Sequence, residues 1–172
     1  NCIKNAASDG HGQIVLTPQH SWNYPTLPED IYNIGTIGDV VHILTMPDGA
    51  IHALIRTTNV VKLNNIEIND GIFSATPDVI NIADDMASEQ TLVLRDILAE
   101  NLQALSNTTR RFKMDKLRNV MNNYPLPAFV DAVIQTAGID TDIAIKVLSA
   151  TSWQEKLTIL LEAIKFMQES AK

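Results

Sequence analysis

A chain of 172 residues with 45% hydrophobic content can bury one generous core or two small ones, and its single cysteine, Cys2, excludes an internal disulfide framework. The net charge of −7 is uneven, with three Lys/Arg against eight Asp/Glu from Asn1 to Asp78 and ten against twelve from Val79 to Lys172. An acidic surface repels a phosphate backbone, which argues against nucleic acid as a partner, and no apolar run reaches the roughly 20 residues that cross a membrane.

The opening NCIKNAASDG lacks the apolar core of a signal peptide, so a reducing, cytoplasmic setting is expected, and a start at Asn1 rather than methionine predicts a piece of something longer. Its first nine residues read as the end of a helix, broken by Gly10 and Gly12, before the short strand Ile14-Val15-Leu16-Thr17. Pro18 to Pro28, with three prolines and no periodicity, is a loop that holds Trp22 and Tyr24. Exposed together, these aromatics would form an apolar contact site; tucked against the sheet they would pin the loop, and the usual burial of large aromatics favours pinning.

From Val40 to Arg56 the runs VVHILT and AIHALIR flank Met46-Pro47-Asp48-Gly49, a β-hairpin. Pro47 presets φ for a type I turn, Asp48 suits the next position, and Gly49 takes the left-handed conformation that completes a three-residue loop. That turn pairs Thr45 with Ile51, Ile43 with Ala53 and Val41 with Ile55, and puts His42, Leu44, His52, Leu54 and Arg56 on the other face. Two histidines alone do not make a metal site, because zinc needs three or four protein ligands and no Cys or second His pair supplies them. Further short strands are predicted at Val60 to Leu63, Ile66 to Asn69 and Ile72 to Ala75, with a hairpin turn at Asn69-Asp70-Gly71. This gives a meander of five or six strands curled into a small open barrel.

After Pro77 the period changes from two to 3.6. Leu92, Leu94, Ile97, Leu98, Leu102 and Leu105 mark the apolar face of a helix from about Ser88, and a second helix runs from about Thr109 to Asn122. The bases Arg110, Arg111, Lys113, Lys116 and Arg118 form its solvated face rather than a docking patch. Pro125 opens a third helix, with Phe129, Val130, Val133 and Ile134 inward and Gly138 at its left-handed end. Asp140 or Thr141 caps a fourth. Ser152 and Glu155 form a capping box for the last, whose buried stripe is Leu157, Leu160, Leu161 and Ile164. The fold class is α+β: a β-rich part over residues 1–78 and a helical bundle over 79–172.

Catalytic machinery is missing from this pattern. No GxxxxGK[ST] is present, and Gly10-His11-Gly12 lacks the third glycine of a dinucleotide fingerprint. There is no G-x-S-x-G elbow, and Cys2 has no recognisable base partner. The neighbouring acids Glu29-Asp30 and Asp84-Asp85 read as solvated loop residues rather than acid/base pairs. Asn107-Thr108-Thr109 matches a glycosylation sequon that carries no weight without a secretory signal.

Taken in order, Leu27-Pro28-Glu29-Asp30-Ile31-Tyr32-Asn33-Ile34-Gly35-Thr36-Ile37-Gly38, Leu44-Thr45-Met46-Pro47-Asp48-Gly49 and Ala53-Leu54-Ile55-Arg56 resemble the N-terminal substrate-binding domain of the Lon ATP-dependent protease family. Asp30, Tyr32, Gly35 and Thr36 stand where that family has D-[LI]-Y-x-[VI]-G-T, and Ile14 to Gln19 looks like its preceding strand. Leu126 to Ala137 and Lys146 to Leu161 are similar to the bundle that follows. Two departures stand out: the family's opening strand and proline-rich turn have no counterpart before Asn1, and Lys156 stands in place of a frequent arginine.

The resemblance implies a segment that selects substrates for a homohexameric serine protease with a Ser-Lys dyad, engaged in protein quality control. Every catalytic and ATP-binding residue would lie outside this chain. No catalytic, cofactor or metal residue is then expected here, ATP and Mg belonging to the parent. Partners would be unfolded or damaged proteins and other subunits, with no nucleic acid and no membrane, and Trp22, Tyr24 and Leu27 are the candidate contacts. A free-standing adaptor built from the same domain is the alternative. A small hydrolase using carboxylates is a remoter one, since no convergent acid/base set is visible.

Overall fold

The computed structural model describes residues 2–8, 12–108 and 125–170. The expected helix from Thr109 to Asn122, with its basic face, lies outside the described residues. Two compact units divide the chain, Asn1–Ile80 and Asn81–Lys172.

The first unit opens with helix α1 (Cys2–Ser8), followed by strands β1 (Gln13–Leu16), β2 (Ile34–Thr45), β3 (Ile51–Asn69) and β4 (Ile72–Val79). They form one antiparallel sheet in the order β1-β2-β3-β4. Turn chemistry sets the two hairpins. Gly49 N donates to the Met46 carbonyl at 2.9 Å with Gly49 at φ 85°, and Asp48 Oδ1 accepts from Ala50 N at 2.9 Å. Asp70 and Gly71, at φ 51° and 73°, make the two-residue turn whose left-handed residues match strand twist.

Among the described residues four strands replace the expected five or six, because three predicted short strands are one continuous β3. The polar stretches that looked like breaks are bulges, at Thr58 and at Asn65, the latter with φ 50°. A further bulge at Val41 corrects the hairpin register. Thr45 does pair with Ile51 and Ile43 with Ala53, but Val40, not Val41, pairs with Ile55, leaving Val41 exposed.

Two glycines let β2 approach its neighbours. A Cβ on Gly35 would stand 2.6 Å from the Leu16 carbonyl oxygen of β1, and one on Gly38 2.8 Å from the Arg56 carbonyl oxygen of β3. Neither space admits a methyl group without moving backbone. Among the described residues of this unit, Val61, Leu63, Ile31 and Ile34 are the buried apolar ones.

The second unit holds helices α2 (Glu89–Thr108), α3 (Leu126–Ala137), α4 (Thr141–Ser149) and α5 (Trp153–Ser170). Leu98, Leu102 and Leu105 of α2, Phe129, Val130 and Val133 of α3, and Leu157, Leu160, Leu161 and Ile164 of α5 share one core. Each fully buried Leu or Phe contributes about 1.5–3 kcal/mol relative to exposure. Leu92 and Ile97, expected on this face, are exposed, and Leu94 is only partly buried against the core. Gly138 ends α3 at φ 64° and ψ 44°, donating its N–H back to the Ile134 carbonyl.

Helix α5 shows half of the expected Ser152–Glu155 capping box, with Glu155 turned one residue further back, and gains a partner that its sequence does not announce. Glu155 N donates to Ser152 Oγ at 3.1 Å, while the Glu155 carboxylate accepts from Thr151 N at 2.9 Å. Asp85, far away in the chain, accepts from Trp153 N at 2.9 Å and Gln154 N at 3.1 Å, placing a carboxylate on the positive end of the helix dipole. Asp85 is therefore a cap rather than a solvated acid. Lys156 is buried and donates through Nζ to the Val147 and Leu148 carbonyls at 2.6 and 3.2 Å, satisfying the last turn of α4. Burial pushes its pKa down, with Glu155 and Asp131 opposing the shift.

Candidate functional site

Residues 18–32 form a loop closed at its base. His20 N donates to the Asp30 carbonyl at 2.8 Å, Tyr32 N to the Pro18 carbonyl at 3.0 Å, and Gln19 bridges Ile31 in antiparallel fashion. The His20 and Tyr32 rings pack beside this ladder with centroids 3.9 Å apart, and the Thr17 hydroxyl lies 2.8 Å from the Tyr32 carbonyl oxygen. A short 3-10 turn (Pro28–Asp30) completes the return.

Asp30 braces the loop from within. Its Oδ2 accepts from Thr26 N at 2.8 Å and Leu27 N at 2.9 Å. These two N–H donors hold its carboxyl below the usual carboxylate range. A carboxylate whose folded pKa is depressed stabilises the loop at every pH above its ordinary value of 3.8, and that contribution is lost as pH falls through the lowered value. Asp30→Asn is accordingly expected to loosen the loop at neutral pH, where Asp30 is ionised. Amide exchange at Thr26 and Leu27 is the measurement: acceleration of at least severalfold is expected, and unchanged protection would remove the brace from the account.

At the tip, the three candidate contacts are all exposed, Trp22 at 99%, Tyr24 at 79% and Leu27 at 51%. The pinning expectation is thus wrong for both aromatics. Neither ring reaches the sheet because the base ladder and the Asp30 brace already hold the loop, leaving its tip to project.

An apolar groove of about 250 Å³ adjoins the base of this loop. Residues from both edge strands line it, Ile14 and Val15 of β1 and Ile72 and Phe73 of β4, so the sheet curls enough for its two edges to face one space. Thr17 and Ile31, at the foot of the loop, also border it. Sequence patterning did not reveal the groove, since it depends on sheet curvature. His42 and His52 stand on the exposed face of the hairpin opposite Leu54 and Leu44, and among the described residues no group of three or more His, Cys, Asp or Glu could hold a metal ion.

Among the described residues, the exposed aromatic loop and the open apolar groove beside it are the features of the first unit that offer apolar surface to a partner. The family model described as the ATP-dependent protease La (LON) substrate-binding domain matches residues 1–165. The chain belongs to this Lon substrate-binding domain family. Similar curated proteins include the Lon protease of Haemophilus influenzae, 25% identical across 94% of this chain and 20% of that protein. The Lon protease of Campylobacter jejuni is 24% identical across 79% of this chain and 17% of its own length. The chain thus spans about a fifth of the curated relatives it matches. In fold it is similar to the N-terminal domain of the Mycobacterium avium complex Lon protease, with a TM-score of 0.64 and 16% identity over 95% of this chain and 82% of that one. In the Lon-domain pattern of the sequence, Asp30 is the loop brace and Gly35 the point of closest strand approach. No helix among the described residues is long and apolar enough to cross a membrane.

Proposed function

We propose that this Lon domain captures unfolded or damaged polypeptides for an ATP-dependent serine protease, by docking exposed apolar segments on the loop that carries Trp22, Tyr24 and Leu27. The observation that carries the reading is the exposure of two aromatics, Trp22 at 99% and Tyr24 at 79%, at the tip of a loop braced at its base and along its returning limb. A soluble surface gains nothing from presenting a bare indole to water, whereas a recognition site gains a large, rigid contact area at low entropic cost. The adjoining groove extends the apolar surface along which a captured segment could run.

In this reading proteolysis by a Ser-Lys dyad and hydrolysis of Mg-ATP fall to other parts of a homohexameric cytoplasmic parent. This domain contributes no reacting group. Its role is to raise the residence time of a substrate near the machine, which needs modest affinity and rapid exchange rather than tight binding.

The test is binding of a fluorescently labelled, permanently unfolded protein to the chain, before and after Trp22→Ala plus Tyr24→Ala. Truncation of two exposed anchors is expected to weaken binding by about tenfold or more, or roughly 1.4 kcal/mol. The same variant should keep its circular dichroism and melting temperature, because neither ring contributes to the core. Unchanged affinity with an intact fold would sink the reading.

A further inference from the structure

The capture surface sits in a stretch of chain with an unusual charge pattern. Between Lys4 and Arg56 there is no lysine or arginine, while Glu29, Asp30, Asp39 and Asp48 all fall there. Arg56, the first base to follow, is held 3.7 Å from Asp39. Lys62 stands opposite Ile34 in β2 on one side and Asp78 in β4 on the other, so register gives it an acid across the strand. At the loop itself Glu29 is exposed one residue from Pro28, and Asp30 is kept ionised by the amides it binds. The projecting indole of Trp22 and phenol of Tyr24 present electron-rich faces that attract cations.

We propose that the loop of Trp22, Tyr24 and Leu27 prefers unfolded segments in which aliphatic or aromatic residues are flanked by lysine or arginine, and discriminates against segments flanked by aspartate or glutamate. The proposal rests on the capture reading above and adds the charge of the occupant to it. The aromatic and leucine side chains take the apolar residues of the segment. The carboxylates of Glu29 and Asp30 and the ring faces take its cationic flanks. An acidic flank meets like charge where no lysine or arginine stands between Lys4 and Arg56 to offset it, the bases of that stretch being its four histidines, so it is disfavoured by repulsion and not only by a missing attraction. Burial of apolar side chains is indifferent to flanking charge, so the two contributions separate experimentally.

Three labelled peptides with one apolar core of leucine, phenylalanine and valine, flanked by lysines, serines or glutamates, are titrated with the chain and followed by fluorescence anisotropy. At low ionic strength the lysine-flanked peptide is expected to bind about tenfold more tightly than the glutamate-flanked one, with the serine-flanked peptide between them. The gap should close near 1 M salt, where the screening length falls to roughly 3 Å. Glu29→Lys, on an exposed side chain, should narrow the gap severalfold without lowering the melting temperature. Equal affinities for the three peptides, all lost in Trp22→Ala plus Tyr24→Ala, would overturn the charge preference while leaving capture in place. Failure of every peptide and of the unfolded protein to bind would overturn both.

Discussion

Gly35→Ala should prise β1 away from β2 and with it loosen the aromatic loop of residues 18–32. A methyl group there would lie 2.6 Å from the Leu16 carbonyl oxygen and 3.1 Å from Val15 Cγ1. The first of these atoms is backbone, so relief requires the strands to part. Four residue pairs join β1 to β2, from Gln13 opposite Asp39 to Leu16 opposite Thr36, and Gly35 sits at the end next to the loop. Overpacking of this kind costs about 1–3 kcal/mol, and more where backbone must move. Because β1 leads directly into Pro18, the ladder between His20 and Asp30 would lose its support. Hydrogen exchange should show faster amides in residues 13–16 and 18–32, with β3 and β4 little changed. Unaltered protection of β1 would mean that the strand tolerates the methyl group by a shift too small to matter.

Phe129→Ala is expected to have the largest effect in the helical unit. Its ring is fully buried among leucines of α2 and α5, and the Arg95 guanidinium lies 5.4 Å from its centre. Removing it sacrifices transfer energy and leaves a cavity that the surrounding helices can only partly collapse, for a loss of about 3–5 kcal/mol. In a unit of this size the helical ellipticity should melt more than about 10 °C lower. Phe129→Leu, which keeps much of the volume, should cost a fraction of that. A melting temperature within a degree or two of the unsubstituted chain would contradict the placement of this residue at the centre of the bundle.

The parts of this fold that sequence could reveal are those set by near neighbours. Pro47-Asp48-Gly49 and Asp70-Gly71 fix their turns within a few residues, and the observed hydrogen bonds are those such residues make. Ser152 with Glu155 and Pro125 with Gly138 likewise mark their helices locally. Bulges escaped because a strand that tolerates an extra residue at Thr58 or Asn65 has the same composition as one that ends there. Asp85 escaped for a different reason: its partners, Trp153 and Gln154, lie 68 and 69 residues away, beyond any local pattern.

The aromatic loop was half legible. Its prolines and lack of periodicity announced a loop, and its aromatic, proline-rich composition made Trp22, Tyr24 and Leu27 the candidate contacts for the role that the resemblance implies. Their exposure was not readable, since burial statistics for aromatics point inward while the outward choice is made by Asp30 and the base ladder. Both acid pairs that looked merely solvated contain one member, Asp30 or Asp85, that organises backbone amides. In each case the chemistry is a carboxylate accepting two N–H groups, and the partner acid is exposed.

The order in which this sheet assembles follows from its connections. β2 and β3 are joined by a turn of a few residues, as are β3 and β4, so their contacts are local and close within microseconds. β1 must instead bridge the long segment between Leu16 and Ile34 to find its partner, at a higher entropic cost of closure. Its docking is therefore expected late in folding, and its release from β2 before β2, β3 and β4 part from one another. A nascent chain thus acquires its aromatic loop only after the three-stranded platform exists, and gentle heating should unlatch that loop before the platform itself gives way.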